Sequence, residues 1–381
     1  MHSLIQAQSC DETVVVNGCT INGKNGVAFK QVKAATVEGT TITALEYGIR
    51  FDGNTDNYGI VVKGNNVTAN QPLIVRKMTG KDNTIALEGT NTLTTEAEYQ
   101  IVITNGSDDE EYVKPTGTYT LTGADGYTQF PAPFEVATWD EFTKALAAGE
   151  DWIKLTADIS TSASYTLTKD LQLELNNKAF AIDNATACLY IGDKNNTTKP
   201  NVTINGGNLN CMVYGLSGNV TIKDVVFGGT VSYISAYQGV VSTKHANLLM
   251  ENCKMTNVKK SGSTKPRSIC TEGRSSGYLI LRDCNFKNSN LDRPYINPLN
   301  GNTTLELTNC ALYGGASNID LGASYSWTNM NLTGCSGGFT FTISRASTSL
   351  TDEEMAVYKA IKQKNTGTKR FIFSDGEKNN L

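Results

Sequence analysis

An apolar pair at alternate positions, followed by Gly, Asn or Asp, recurs eleven times along this 381-residue chain. The small residue of each repeat is Gly18, Gly39, Gly64, Gly89, Asn177, Gly206, Asp224, Asn252, Asp283, Asn309 or Gly334. Glycine enters the left-handed backbone region without steric cost, and Asn and Asp follow it there most readily because their short polar side chains bond locally. A position that bends the same way once per repeat marks a solenoid. The spacing, mostly about 25 residues with extremes of roughly 18 and 31, suits one coil per repeat.

The residues around this pivot complete the coil. Val202 and Ile204, Val220 and Ile222, Leu248 and Met250, Leu279 and Leu281, Leu305 and Leu307, and Met330 and Leu332 alternate with polar residues just ahead of it, as a strand with one buried face requires. Leu209, Phe227, Met255, Phe286 and Leu312 follow it and predict a second short strand. A third comes after a loop of variable length, at 47–52, 72–76, 188–192, 212–215, 317–321 and 339–343. Three parallel strands per coil, with phrases such as Asn201-Val202-Thr203-Ile204-Asn205-Gly206-Gly207, resemble the right-handed β-helix of the pectate-lyase-like superfamily with its asparagine ladder, and within it the adhesin-like surface proteins of gut bacteria. The resemblance concerns architecture and carries little chemistry. The expected fold is all-β: a right-handed parallel β-helix solenoid in two tandem segments with short capping helices.

The punctuation of the chain sets the expected domains. Leu4, Ile5 and Ala7 resemble the last strand of a coil, so residues 1–104 are expected to be the C-terminal part of a first β-helix whose N-terminal cap is missing. An uncapped end exposes backbone groups and invites self-association. Residues 105–133 lack the register, are acidic at 108–111 and are expected to be a linker. Thr138-Trp139-Asp140-Glu141 is a capping box, placing Trp139, Phe142 and Leu146 on one helical face before Gly149. A second β-helix is expected at 134–347, and a C-terminal helix and tail at 348–381. Thr351 to Glu354 is again a capping box, with Met355, Tyr358 and Ile361 on one face.

Thirty-five glycines with eight prolines fit many tight turns, and a net charge of −4 without a Lys/Arg stripe points away from nucleic acid. No apolar run approaches the length of about 20 residues that a membrane-spanning helix needs. The first ten residues lack the basic and apolar segments of a signal peptide. Cys253, Cys284, Cys310 and Cys335 follow the pivot directly in successive coils, as Cys19 does earlier. Side chains stacked in parallel make poor disulfides, and no CxxC or Cys/His spacing suggests zinc, so a ladder of small hydrophobes is expected. No metal and no cofactor is implied.

The outward positions of the third strand and the loop before it are where β-helix enzymes of the resembled superfamily place their sites. Tyr190, Tyr214, Glu272, Arg274, Asn297 and Asp320 occupy such positions, and insertions add Lys265, Arg267, Asp292 and Arg293. Glu272 and Asp320, two coils apart, are the candidate catalytic pair; with both pointing outward their separation of roughly 9–10 Å falls at the edge of the inverting-glycosidase window. Yet carboxylates are sparse here, and the two histidines, His2 and His245, match no catalytic set. Tyr190, Tyr214, Lys265, Arg267, Arg274, Arg293 and Asn297 better suit ligand binding, since coil-spaced aromatic and basic groups repeat one contact along a polymer. The expected function is therefore a non-catalytic, extracellular or surface β-helix protein that binds glycan or a protein partner. A polysaccharide lyase or glycoside hydrolase, and a phage fibre or spike protein, are the alternatives.

Overall fold

The structure, a computed structural model, describes the chain apart from residues 1–4, 108–111, 125, 232–238, 256–257, 261–266, 272–276, 287–294, 299–302, 313–317, 322–329, 337–338, 344–351, 366–367 and 374–381. All eleven pivots have left-handed backbone, with φ from 50° at Asn252 to 66° at Gly334. The strands they separate pair only in parallel, each with the equivalent strand of the next coil. The chain is thus an all-β parallel β-helix, and its contacts divide into two compact units, 1–132 and 133–381.

Each coil of the second unit has a first wall before the pivot, a second after it and a third beyond the loop. In the first wall Leu173, Ile204, Ile222, Met250, Leu281, Leu307 and Leu332 are mutually in register, each fully or almost fully buried. In the third, Leu189, Val213, Val241 and Ile269 form the facing inward column. Strict alternation gives every coil one apolar side chain per column, and each such burial stabilises by about 1.5–3 kcal/mol. On the outer side of the first wall Lys223, Glu251 and Arg282 form an ion-pair column, and Arg282 also reaches Glu306 diagonally in the neighbouring register, with N···O distances of 2.8, 3.2 and 3.2 Å. Leu249 and Ile280 lie half-buried between Thr221 and Glu306 in the neighbouring outward register.

Two helices close the second unit. Helix α1 (Trp139–Ala148) begins with the Thr138–Glu141 capping box and ends at left-handed Gly149. Its Phe142 is completely buried, and Trp139 rests edge-on against Tyr165 and Phe180. Helix α2 (Asp352–Lys364) buries Ile361 in the same core. Its proposed capping Thr351 lies outside the described residues.

In the first unit the walls follow the same plan around Val37, Val62, Leu73 and Ile101. The stretch 105–133, expected as a linker, supplies Tyr119–Thr122, which pairs with Asn83–Glu88, and Gln129–Phe130, which pairs with Ile101–Ile103. Gly123 (φ 70°) turns the chain between them, where a Cβ would collide with the Leu87 carbonyl. Both strands belong to a sheet of the first unit.

Candidate binding face

The third wall of the second unit carries the candidate site. Tyr190 directly follows the inward-facing Leu189 on the strand Cys188–Ile191 and is in register with Tyr214, then Ser242, Cys270 and Asn297 in successive coils. The two tyrosine rings lie 6.0 Å apart at 40°. Tyr190 is half-buried, whereas Tyr214 is 6% exposed and Ser242 1%. The column is therefore open at Tyr190 and covered toward Ser242, so Tyr214 supports the Tyr190 ring more than it offers a free face. Burial, with the adjacent Cys188 thiol, raises the Tyr190 phenol above its ordinary pKa. It remains a neutral donor.

Of the other residues expected here, Arg267 and Asn297 lie on the third-wall strands Arg267–Thr271 and Tyr295–Pro298, and Asp320 on Asn318–Leu321. Asp320 follows Ile319, which is in register with Ile296. The topology thus gathers Tyr190, Tyr214, Arg267, Asn297 and Asp320 on one wall. Lys265, Glu272, Arg274, Asp292 and Arg293 lie outside the described residues, so the candidate catalytic pair has only Asp320 within them.

Two carboxylates have clearly shifted ionisation beside this wall or the first, both downward. The Thr198 amide, with the Thr197 and Thr198 hydroxyls and the Asn195 amide, holds Asp193 well below the usual range. Hydrogen bonding from Lys223, joined by Arg282, lowers Glu251. A general acid needs the opposite shift. Among the described residues no three His, Cys, Asp or Glu side chains converge to hold a metal ion.

A cavity of about 320 Å³ was not foreseen. It lies where the end of α1 meets the strand Tyr165–Leu167 and is lined by Leu146, Glu150, Asp151, Tyr165, Lys169 and Asp170. Asp170 also starts an outer ladder: it accepts from Asn201, whose Oδ1 accepts from Asn219, whose Oδ1 accepts from Asn247. The hint lay in Asp170, Asn201, Asn219 and Asn247, each opening an apolar-polar strand.

In the first unit the outer side of the third wall is covered. Ala28, Tyr47, Ile74 and Val102 form a second apolar cluster beneath Tyr99 and Phe130, with Tyr112 stacked 5.4 Å from the Phe130 ring. Asp52 lies 3.5 Å from Arg50 Nε and 3.7 Å from Arg76 Nη2, all three side chains being largely buried. That face is internal to the unit. No protein-family model matches this sequence, and no curated protein matches it.

Proposed function

We propose that this chain is a non-catalytic β-helix protein that binds an extended glycan, or a partner presenting one, along the third wall of its second unit. The observation that carries the reading is the registered Tyr190–Tyr214 pair at the open end of a column that continues through Ser242, Cys270 and Asn297. A half-exposed aromatic ring gives a sugar an apolar platform, and its phenol a donor. In the coil before it the platform continues to exposed Thr166, in register with Tyr190 and about 4.8 Å away, so a chain laid along the axis meets the Tyr190 end of the column. The strands Arg267–Thr271 and Tyr295–Pro298 continue the same wall.

The pectate-lyase-like and adhesin-like resemblances fit this reading, as does display at a bacterial surface. Incubating the chain with immobilised uronic-acid and neutral glycans, then assaying retention and new reducing or unsaturated ends, tests it. Retention without cleavage, weakened at least fivefold in Tyr190→Ala, is expected. Cleavage abolished by Glu272→Gln or Asp320→Asn would replace the binding module with an enzyme. No retention on any glycan would leave a protein-binding or structural role.

A further inference from the structure

The second wall of the first unit carries a lattice of hydroxyls for which glycan binding on the other unit has no use. Its four strands are Thr20–Gly23, Thr41–Ala44, Asn66–Thr68 and Thr92–Thr94. Ile21, Ile42, Val67 and Leu93 point inward and are buried. The outward residues on either side of them form two columns: Thr20, Thr41, Asn66 and Thr92 in one, and Asn22, Thr43, Thr68 and Thr94 in the other. All eight are exposed, and the pairing runs through both columns without a bulge. Six are threonine, and none is charged or aromatic. Among the described residues, none of the eight side chains bonds to another group of the protein.

The rim is bare as well. The pivots beside the first column are Gly18, Gly39, Gly64 and Gly89, all exposed, whereas the second unit has Asp224, Asn252, Asp283 and Asn309 in the equivalent place. A Cβ at Gly18 or Gly64 would meet nothing within 4 Å, so crowding does not exclude a side chain there. No group rises beside the hydroxyls to keep a solid surface off them.

We infer that this face binds ice, meeting a prism plane with its threonine hydroxyls and methyls. Spacing is the first argument. Neighbouring strands stand about 4.8 Å apart, and alternate residues along a parallel strand about 6.6 Å. Water bonded tetrahedrally at about 2.75 Å builds a lattice with repeats of about 4.5 and about 7.3 Å along the two axes of an ice prism plane. The offsets are about 0.3 Å per coil and about 0.7 Å along the strand, less than a threonine hydroxyl moves between rotamers. Stacking on the other two walls resists the twist of a free sheet and keeps the array planar.

Side-chain chemistry is the second argument. Threonine is stiff at χ1, so little entropy is lost when its hydroxyl takes the place of a lattice oxygen. The methyl beside it orders water without competing for a hydrogen bond. A polyelectrolyte would need opposite charge and a sugar an aromatic platform, and these columns offer neither.

Ice-affinity partition of the fluorescently labelled full chain tests the proposal: an ice layer is grown slowly, separated from the liquid, and the protein in each is measured. Enrichment in the ice over labelled serum albumin is expected. Thr43→Tyr and Thr68→Tyr each raise a ring from the middle of the array and should bring the chain down to the albumin level. Thr68→Lys repeats the disruption with a flexible side chain, in case a tyrosine variant fails to melt like the parent. Asn66→Thr completes the first column and should raise enrichment. Asn208→Tyr, at an exposed outward position of the second wall in the other unit, should match the parent. Albumin-level partition of the parent overturns the proposal, as does parent-level partition of the Thr43 and Thr68 variants or an equal loss in Asn208→Tyr. Glycan retention plays no part in this readout, so either reading can fail without the other.

Discussion

The residue just past the pivot is handled differently in the two units. In the first unit the column contains Thr40, Asn65 and, one residue later in its coil, Asn91. Asn65 Oδ1 accepts the Thr40 amide at 2.9 Å, Asn91 Oδ1 accepts the Asn65 amide at 2.9 Å, and their Nδ2 groups donate to Val37 O and Val62 O at 2.8 and 3.0 Å. In the last four coils of the second unit cysteines take that place, as Cys19 does at the first pivot of the first unit, and the four thiols reach the equivalent carbonyls at 3.3–3.6 Å. The backbone is the same and the carbonyl is the same. What differs is the number of good hydrogen bonds one side chain makes: an amide satisfies a buried donor and a buried acceptor together, whereas a thiol has one weak donor, here near two carbonyls, and packs as a small hydrophobe. The first unit therefore depends on its column for polar satisfaction, and the second mainly for volume.

That contrast is broken most severely by Asn65→Val. It leaves the Thr40 amide and the Val37 carbonyl without their side-chain partners in a buried site, so the first unit should lose about 2–5 kcal/mol, read as faster amide exchange at Thr40. Asn65→Cys should recover part of this, and equal losses for Val and Cys would show that thiols and amides are not graded as argued.

The next largest effect tests the pivots, which both units share. Asn252→Val or Asp283→Val should cost about 1–2 kcal/mol, because a β-branched residue resists the left-handed bend. Asn252 also donates to Asp224 and Asn309 to Asp283 across coils, the second at 3.1 Å. Unchanged melting temperatures would contradict the strain argument.

Cys310→Val should stay within about 1 kcal/mol of the parent, as a volume-conserving change in a site that lacks a strong hydrogen bond. A cost matching Asn65→Val would erase the contrast between units. The smallest effect concerns pH. Glu251 is shifted down in the folded state by Lys223 and Arg282, so its contribution is complete above the unfolded value, about 4.3, and is lost as pH falls through the lowered folded value. The carboxylate is partly exposed, so only a few tenths of a kcal/mol are involved. Melting of the second unit in acid should shift slightly less in Glu251→Gln than in the parent.

The pivots were legible because few residue types tolerate their backbone, and a constraint that narrow repeats visibly. The alternating pairs, the capping box of α1 and the cysteine column were legible for the same reason: each is a local pattern with one physical meaning. The pairing of Tyr119–Thr122 and Gln129–Phe130 was not, since those strands lack the pivot spacing and gain their place from partners already stacked. Nor was the covering of Tyr214 and Ser242, or of Ile74 and Val102 beneath Tyr99 and Phe130. Alternation shows which side chains face away from the coil interior. It is silent on what else packs over them.

Asn365 accepts from the Cys335 amide and donates to Leu332 O at 3.0 Å and to Ile361 O of its own helix. Asn91, inside the first solenoid, bonds the same way to the coil before it and to Glu88 O of its own chain segment. The helix thus meets the stack with the grammar of one more repeat. Nothing in that junction records how many repeats came before. Excising one whole repeat, residues 284–309, would present α2 with the same amide and the same carbonyl, so the length of the solenoid can change in steps of a coil while its stopper is kept.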